Sequence, residues 1–320
     1  MGTGSFVPPR LLTNFDLARM VDTSDEWIRT RTGIQERHIA EQDVPSSDLA
    51  AEASKLAIAE AGISPSDVDL LIVCTVTADR AFPSTACSLQ EKLGTMNAGS
   101  FDLAAGCSGF IYGLALATGL IESSLADIIL VVGVETLSKL VDWKDRNTCV
   151  LFGDGAGAAV VASGRPEIGV LATSVGSDGR LGCLLELPAG GSLNPATAET
   201  VRKGMHYIKM KGNEVFKNAV RAMATVAKDT LAKANVKAKD LDLLIPHQAN
   251  LRIIEATAKR LGVPMEKVFV NVHKYGNTSA ASIPMALDEA RKEGRVNEGD
   301  LIELVAFGAG FTWGAAVIRW

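Results

Sequence analysis

Apolar and polar positions along the chain follow two different periodicities. The stretch at 48–62, DLAAEASKLAIAEAG, contains helix formers throughout, begins at an Asp and ends at a Gly, which predicts an α-helix. The stretch at 68–76, VDLLIVCTV, is a continuous apolar run of strand length, and similar runs occupy 127–135 and 149–162. Unbroken apolar runs are typical of strands buried on both faces of a sheet. The pattern therefore predicts an α/β fold.

Parts of the chain repeat in the same order. The two matching pairs are 61–72 (AGISPSDVDLLI) with 234–245 (ANVKAKDLDLLI), and 150–161 (VLFGDGAGAAVV) with 305–318 (VAFGAGFTWGAAVI). Chance similarity between apolar runs is the alternative. The order predicts two similar halves, 1–165 and 166–320, which meet in the polar stretch 162–169.

Length and charge narrow the class of protein. At 320 residues, with 47% hydrophobic residues, the chain can bury the core of two domains or of one duplicated fold. The formal net charge is -5 and no long basic run is present, which argues against a nucleic-acid binder. An anionic partner would therefore need a local basic patch.

Cysteine usage and the absence of long apolar runs indicate where the protein works. Five cysteines, with no C-x-x-C pair, argue against a disulfide framework or a zinc site and favour the reducing cytoplasm. The start of the chain has no signal-peptide pattern, and no apolar run approaches the roughly 18 residues of a membrane span. We expect a soluble cytoplasmic protein with no metal and no membrane partner.

Cys107 differs from the other cysteines in its position. It follows the strand-like SFDLAAG and precedes the helical SGFIYGLALATGLIESS, so we expect it at a helix N-terminus, where the macrodipole depresses the thiol pKa. Gly106 and Gly109 permit a sharp bend there. The alternative is a small core residue at a glycine-rich packing site. Three other cysteines are predicted to be small buried hydrophobes: Cys74 in one strand, Cys149 at the start of another, and Cys87 on a helix face.

Four histidines are available as partners for a nucleophile. His38 and His206 lie in charged stretches that we expect to be exposed, and His273 is interpreted as structural. His247 directly follows the strand-like LDLLIP, a place in its half that we equate with Thr75 in the first half. His247 should therefore emerge at the carboxyl end of the sheet, where open α/β sheets place ligands.

Two glycine-rich segments of the second half add further candidate groups. Asn277 lies in a Gly-Asn turn, YGNTSAAS, although Asn is common in such turns for backbone reasons alone. The C-terminal FGAGFTWG forms another glycine-rich turn, whose backbone N–H groups could face a developing oxyanion.

Taken together, these segments resemble a known family. The motifs occur in order as DTSDEWIRTRTGI, AFPSTAC, FDLAAGCSGF, FGDGAGA, PHQANLRII, GNTSAAS and AFGAGFTWG. The set is similar to beta-ketoacyl-acyl carrier protein synthase III, the condensing enzyme that initiates fatty acid synthesis, and it covers nearly the whole chain. The resemblance implies a duplicated thiolase-like αβαβα sandwich and a homodimer. It also implies acyl-CoA and malonyl-acyl carrier protein as substrates, without a further cofactor.

The resemblance also assigns roles to individual residues. It implies Cys107, His247 and Asn277 as catalytic residues and the backbone N–H groups of Cys107 and Ala309 as the acyl oxyanion hole. The residues implied to bind coenzyme A are Trp27, Arg31, Arg146, Asn213 and Asn250. The residues implied to dock the acidic carrier protein are Lys217, Arg252, Lys259 and Arg260, each of which could instead belong to a solvated helix face.

Three further comparisons with the family pattern concern single positions. Phe82 matches a residue that reaches into the partner subunit's acyl pocket, and a plain core aromatic is the alternative. The family usually has a few more residues before MGTGSFVPP, which bears on the pairing of the first strand. Ala309 stands where some members have Gly, and Ala tolerates positive φ less well.

The residues fit a condensing reaction on chemical grounds as well. A Cys thiolate exchanges with an acyl thioester at little energetic cost. A malonyl thioester must then lose carbon dioxide through an enolate, which His247 and Asn277 could stabilise at roughly 3 to 4 kcal/mol per donor. The alternatives are a thiolase-fold synthase that condenses other acyl-CoA units, a catalytically silent docking subunit, and an enzyme in which His247 is the general base for the thiol.

Overall fold

The computed structural model describes residues 2–164 and 167–320, which contain two large sheets with helices around and between them and two small two-stranded sheets, in which Leu11–Thr13 pairs with Glu36–His38 and Leu185–Glu186 with Lys209–Met210. Its strands are β1 (Gly2–Phe6), β2 (Leu11–Thr13), β3 (Glu36–His38), β4 (Leu70–Cys74), β5 (Gly99–Leu103), β6 (Ile128–Thr136), β7 (Asp154–Ala162), β8 (Gly169–Ser177), β9 (Leu185–Glu186), β10 (Lys209–Met210), β11 (Leu243–Pro246), β12 (Leu301–Gly308) and β13 (Thr312–Arg319). Its α-helices are α1 (Asn14–Ala18), α2 (Asp25–Thr32), α3 (Ser46–Ala61), α4 (Thr85–Leu93), α5 (Gly109–Glu122), α6 (Arg146–Cys149), α7 (Ala198–Arg202), α8 (Gly212–Lys233), α9 (Leu251–Leu261), α10 (Val272–Tyr275) and α11 (Ser282–Lys292).

The first sheet has five strands in the order β1-β7-β6-β4-β5. β4 is parallel to both β5 and β6, whereas β7 is antiparallel to β6 and β1. The first strand pairs along its whole length with β7, from Gly2 with Val160 to Phe6 with Ala156. The short start of the chain therefore does not prevent this pairing.

The second sheet repeats this arrangement with one strand fewer. Its order is β11-β12-β13-β8, with β11 parallel to β12 and the other neighbours antiparallel. A single parallel bridge between Leu244 and Val268 occupies the place of a fifth strand. The two sheets thus share a topology, and the part that differs is an edge.

Helices cover both sheets and fill the space between them. α3 packs on the outer face of the first sheet and α8 on the outer face of the second, while α5 and α11 lie between the sheets. α5, with the sequence GFIYGLALATGLIE, is almost wholly apolar because a helix between two sheets has little exposed surface. The predicted αβαβα fold is confirmed. The predicted boundary between residues 165 and 166 lies outside the described residues.

The first pair of matching sequence segments has the same local structure in both halves. In each, a long helix ends, a short 3-10 turn follows (Pro65–Asp67 and Ala238–Asp240), and a central strand begins. Hydrogen bonds correct one detail. Asp69 accepts the Ile128 N–H as Asp242 accepts the Leu301 N–H, which aligns these two residues, so the equivalent of His247 is Cys74 and not Thr75.

Two cysteine predictions are wrong, and both errors come from local geometry. Cys149 is buried as predicted, but it ends the short helix α6 and does not open a strand, because β7 begins only at Asp154. Cys87 is exposed, because it lies on the solvent face of α4, where the Ser84 hydroxyl donates to its sulfur. Cys74 is fully buried, as predicted.

No helix in the described ranges is long and apolar enough to cross a bilayer.

Candidate active site

One cavity of about 510 Å³ lies where the carboxyl ends of the central strands of the two sheets meet. Four of the predicted site residues line it together: Cys107, His247, Asn277 and Ala309. They come from four separate segments of the chain, two of them from the loops that follow β5 and β11. The duplicated fold therefore brings together groups that are far apart in sequence.

Cys107 lies in a 3-10 turn, Gly106–Ser108, between β5 and the N-terminus of α5, as the sequence predicts. Gly106 has φ +54°, and a Cβ built on it would lie 2.8 Å from the Ala309 nitrogen. A side chain at this position would meet both backbone strain and a steric clash. Glycine is therefore required for the bend that presents Cys107 to the cavity.

The predicted depression of the thiol pKa is wrong. Burial at the base of the cavity raises the pKa of Cys107 to about 12, while the side chain of Ser279, within hydrogen-bonding reach of the thiol, acts in the opposite direction. Desolvation disfavours a charged thiolate more strongly here than the helix terminus and hydrogen bonds favour it. The resting enzyme therefore holds a thiol, and its attack on a thioester requires a group that accepts the proton.

The residues predicted to form the oxyanion hole lie in two turns that are in backbone contact. Gly308, at the end of β12, approaches the Cys107 nitrogen so closely that any Cβ at this position would collide with it. Ala309 follows directly and is not among the non-glycine residues with positive φ, so its methyl group causes no backbone strain. Cys107 and Ala309 both line the cavity.

His247 follows β11 and is only 3% exposed. Its backbone N–H donates to the Val305 carbonyl at 2.8 Å, and its Nδ1 lies 2.6 Å from the Ser282 hydroxyl. Burial lowers the pKa of His247 to about 3. The imidazole is therefore neutral at physiological pH and is a weak base.

Asn277 is held in a fixed orientation by three hydrogen bonds to backbone groups. Its N–H donates to the Leu151 carbonyl at 2.8 Å, its own carbonyl accepts from Gly153, and its side-chain Oδ1 accepts the Ser279 N–H at 2.9 Å. Because Oδ1 is occupied, the Nδ2 donor is the part of the amide available to a ligand.

The residues implied to bind coenzyme A are placed around the cavity and beside it. Arg31, Asn213 and Asn250 line the cavity itself. The guanidinium groups of Arg31 and Arg146 lie 5.4 Å and 5.0 Å from the centre of the Trp27 ring, so Trp27 and Arg146 extend the same surface outward.

The remaining predicted positions lie on the surface. Phe82 is 85% exposed and does not line the cavity, so the alternative of a core aromatic is wrong. The four basic residues of the predicted docking surface are all exposed, on two helices that pack against each other: Lys217 on α8, and Arg252, Lys259 and Arg260 on α9. Arg252 also lines the cavity, which the sequence does not show.

The other three histidines do not line the cavity. His38 and His206 are half-buried and not exposed as predicted, because one ring contacts the Pro8 carbonyl and the other packs on Tyr207. His273 is also half-buried, and its backbone carbonyl accepts from Gln35, in keeping with a structural role. Within the described ranges, no group of three or more His, Cys, Asp or Glu residues could hold a metal ion.

Sequence reasoning missed three polar residues around the site. Ser279 and Ser282 belong to the GNTSAAS motif, but nothing in the sequence distinguishes them from helix-opening residues. Glu135 is the last residue of an apolar run, so the sequence predicts only that it is the polar end of a strand. The signal that identifies Glu135 is the raised pKa of a buried carboxylate, and this burial is visible only in the three-dimensional structure.

Comparisons with known proteins agree with this geometry. The family model described as 3-oxoacyl-[acyl-carrier-protein (ACP)] synthase III matches residues 101–179, and the model of its C-terminal part matches residues 231–320. The chain is 56% identical to the beta-ketoacyl-[acyl-carrier-protein] synthase III of Caldanaerobacter subterraneus subsp. tengcongensis, over 100% of this chain and 97% of that protein.

Solved structures give the same result. The crystal structure of 3-oxoacyl-[acyl-carrier-protein] synthase III from Aquifex aeolicus is 51% identical, with a TM-score of 0.92 over 100% of this chain and 98% of that chain. The beta-ketoacyl-[acyl carrier protein] synthase III from Thermus thermophilus is 47% identical, with a TM-score of 0.93 over the same shares. The chain therefore belongs to the 3-oxoacyl-[acyl-carrier-protein] synthase III family of condensing acyltransferases.

Proposed function

We propose that the protein condenses an acyl-CoA primer with malonyl-acyl carrier protein, with loss of carbon dioxide, and so initiates fatty acid biosynthesis. Membership of the family supports the reaction. The observation that carries the assignment of roles is the convergence of Cys107, His247 and Asn277, with two backbone N–H groups, in one cavity. Coenzyme A thioester is a substrate here, and we propose that no cofactor is needed.

In the first half-reaction the Cys107 sulfur attacks the acyl thioester carbonyl. The carbonyl oxygen develops negative charge, which the N–H groups of Cys107 and Ala309 are placed to stabilise. Collapse of this intermediate breaks the bond to coenzyme A, which leaves as a thiol after gaining a proton. The acyl group is then held on the enzyme as a thioester.

In the second half-reaction His247 and Asn277 act as hydrogen-bond donors to the malonyl thioester oxygen. The Gln248 N–H donates to the Ser282 oxygen at 3.4 Å, which leaves the Ser282 O–H to donate to Nδ1 of His247. This arrangement favours the tautomer with a proton on Nε2. Loss of carbon dioxide then forms an enolate whose charge both donors stabilise, and the enolate carbon attacks the acyl-Cys107 carbonyl.

The same geometry argues against His247 as the base for the thiol. With a pKa near 3 and Nδ1 already engaged by Ser282, the imidazole has little tendency to accept a proton. A thiolase-fold synthase that condenses other acyl-CoA units would use similar groups, so the identity of the extender is left to experiment.

We also propose that the protein is a cytoplasmic homodimer that docks an acidic carrier protein. The exposed aromatic ring of Phe82 and the free edge of β5 in the described sheet support a subunit contact in the first half. The basic residues on α8 and α9 are exposed, and one of them, Arg252, lines the cavity, which supports docking at this face. All five cysteines are free, in keeping with a reducing compartment.

The test of the proposed function is intact-mass measurement after incubation with a panel of acyl-CoA thioesters, followed by addition of malonyl-acyl carrier protein. We expect one acyl group per chain, located on Cys107 by digestion, and its discharge as a beta-ketoacyl product. A label on Cys74, Cys87, Cys149 or Cys183 would overturn the site assignment. Discharge by malonyl-CoA alone, with no use of the carrier protein, would favour the other thiolase-fold synthases. The preferred acyl group identifies the primer.

A further inference from the structure

Glu135 is a fully buried carboxylate that is hydrogen-bonded to Ser279, a residue of the cavity wall. It lies in β6, the strand between β4 and β7, and is 0% exposed. Its Oε1 accepts the Ser279 hydroxyl at 3.0 Å, and its Oε2 accepts the Thr77 hydroxyl at 2.6 Å. The Val76 N–H lies 3.2 Å from both oxygens. A buried carboxylate with four donors around it is built to carry a negative charge at least part of the time.

Ser279 connects this carboxylate to the reacting sulfur. Ser279 and Cys107 line the cavity together, and the 3-10 turns Gly106–Ser108 and Ser279–Ala281 pack against each other. The Ser279 side chain acts to lower the pKa of the Cys107 thiol, and its hydroxyl donates to Glu135. Ser279 has φ +48°, an uncommon conformation for a residue with a side chain, and its N–H fixes the Asn277 amide. Strained residues of this kind persist where the surrounding structure holds them, often at active sites.

The first half-reaction needs a proton acceptor, and the structure offers few. The Cys107 thiol is protonated at rest, and His247 is a weak base. Glu186, the other carboxylate beside the cavity, is exposed on β9 and comes from a different part of the lining. Glu135, through Ser279, is the carboxylate whose described hydrogen bonds lead to the sulfur.

We propose that Ser279 and Glu135 form a relay that removes the Cys107 proton as the sulfur attacks the acyl thioester. The S–H proton moves to the Ser279 oxygen while the Ser279 O–H proton moves to Oε1 of Glu135. The new carbon–sulfur bond forms, the bond to coenzyme A breaks, and the departing thiolate takes a proton from solvent. When condensation releases Cys107 as a thiolate, the carboxylic acid returns its proton by the same route.

This inference rests on the proposed function and adds a proton acceptor to it. Glu135 does not touch the reacting sulfur and acts through Ser279. Glu135 and Cys107 carry one negative charge between them and not two, because a charge on either group raises the pKa of the other. No standing thiolate is required, because proton transfer accompanies the attack.

The expected pH dependence follows from the surroundings of Glu135. Burial raises its pKa to about 7, against the opposing effect of the four hydrogen bonds. The titratable groups on neighbouring elements are Cys74 on β4, Asp102 on β5, Cys107, and Asp154 on β7. Asp102 is bonded to N–H groups of α4, and Asp154 to Ser138 and the Ala40 N–H. Acylation should therefore increase as pH rises through about 7, where the carboxylate becomes available.

The test measures two rates on Cys107 as a function of pH: single-turnover acylation, and alkylation by iodoacetamide followed on the Cys107 peptide. The variants are Glu135→Gln, which keeps the shape, Ser279→Ala, which breaks the relay, and Glu135→Asp, which keeps a carboxylate. Glu303→Gln is the matched control, because Glu303 is also fully buried with a raised pKa, but neither of its carboxylate oxygens has a hydrogen-bond partner among the described residues.

In the parent and in Glu303→Gln we expect both rates to increase with a midpoint near pH 7. In Glu135→Gln and Ser279→Ala we expect acylation at pH 7 to fall about 10²-fold and the midpoint near 7 to disappear. Glu135→Asp should keep a midpoint at reduced rate, and the double variant should lose little more than either single variant.

Structural damage has a different signature, because it would lower both half-reactions without moving the midpoint. A parent-like pH profile in Glu135→Gln would overturn the relay while leaving acyl transfer by Cys107 intact. Absence of acylation on Cys107 in the parent protein would overturn the proposed function itself. Equal loss in Glu303→Gln would also overturn the relay, since any buried carboxyl would then have the same effect.

Discussion

The central strands of the two halves end in different residues at equivalent places. Leu70 pairs with Ile129 as Leu243 pairs with Ile302, and counting forward from Ile129 and Ile302 along β6 and β12 aligns Glu135 with Gly308. The first half thus ends in a buried carboxylate below the thiol. The second half ends in a glycine, whose missing side chain lets β12 approach the Cys107 nitrogen.

A second pair of equivalent residues, Cys74 and His247, also differs between the two halves. Cys74, in the first half, is a fully buried thiol whose pKa burial raises further, so it stays neutral and packs as a small hydrophobe. His247, its counterpart, turns a ring edge toward the cavity. In the proposed mechanism the two halves therefore have different roles on one shared scaffold: the first holds the nucleophile, and the second holds the two side-chain donors.

The largest effect should come from removing the nucleophile of the first half. Cys107→Ala should show no acylation, because no other cysteine lines the cavity. It should retain some release of labelled carbon dioxide from malonyl-acyl carrier protein, because that step depends on donors from the second half. Cys183→Ala, which changes an exposed thiol, is the control and should behave as the parent. Persistent acylation of Cys107→Ala would contradict the assignment of the nucleophile.

Adding a side chain at Gly308, the second-half equivalent of Glu135, should lower acylation almost as much. Gly308→Ala places a Cβ against the Cys107 nitrogen, so the turn must move and the oxyanion hole opens. We expect acylation to fall about 10³-fold, near the upper end for loss of one oxyanion donor. Gly294→Ala is a control for substitution of glycine, because its added Cβ meets no atom, although its positive φ costs some stability. Near-normal acylation by Gly308→Ala would show that the close approach is not needed.

Measuring the two half-reactions separately distinguishes the roles of His247 and Asn277 from the role of the Cys107 thiol. His247→Ala and Asn277→Ala should still accept an acyl group on Cys107, while decarboxylation falls by roughly 10²-fold or more in each. The reason is that each donor strengthens its hydrogen bond as charge grows on the enolate oxygen. Loss of acylation with normal decarboxylation in His247→Ala would falsify the enolate-donor role.

Much of the difference between the two halves could be predicted from sequence, because local residue patterns indicate it. Cys107 between a strand and a glycine-rich helix start, and His247 after a short apolar run, each identify the carboxyl end of a strand. The αβαβα architecture follows from the family motifs and from the repeated order of segments. Local pattern also gives the bounds of α3 within two residues.

The remainder depends on contacts between distant segments. Glu135 lies 144 positions from Ser279 and 58 from Thr77, so no window of sequence shows that they meet. The thiol pKa was mispredicted because the helix terminus is visible in sequence and burial by the opposite half is not. Cys87 was mispredicted because its side of α4 remains exposed in the described chain.

Buried titratable groups of the two halves should give opposite dependences of stability on pH. The pKa of His247 is lowered from 6.5 to about 3, so the unfolded chain binds a proton that the folded chain does not, and stability falls as pH falls below about 6.5. The pKa of Glu135 is raised from 4.5 to about 7, so its contribution is full below about 4.5 and is lost as pH rises through about 7.

Denaturant unfolding of two variants between pH 4 and pH 8 checks these signs. Relative to the parent, His247→Gln should flatten the loss of stability toward low pH, and Glu135→Gln should flatten the loss toward pH 8. His38→Gln is the control, since it changes a half-buried histidine outside the cavity. Changes of the same sign in both variants would mean that the folded-state pKa of one group is shifted the other way.

The smallest effect should come from the outer surface of the second half. Lys259 is exposed at the end of α9 and does not line the cavity, whereas Arg252 is exposed and lines it. Lys259→Glu should raise the KM for malonyl-acyl carrier protein about threefold at low salt, because rim charges act mainly on encounter, and the effect should shrink at high salt. Acyl transfer from coenzyme A should be unchanged in Lys259→Glu and impaired in Arg252→Glu. Lys237→Glu, on the exposed turn after α8, controls for net charge and should match the parent. If Lys259→Glu and Lys237→Glu raise KM equally, overall charge and not a docking surface governs the carrier protein. In that case the second half contributes donors to the chemistry and no recognition of the partner.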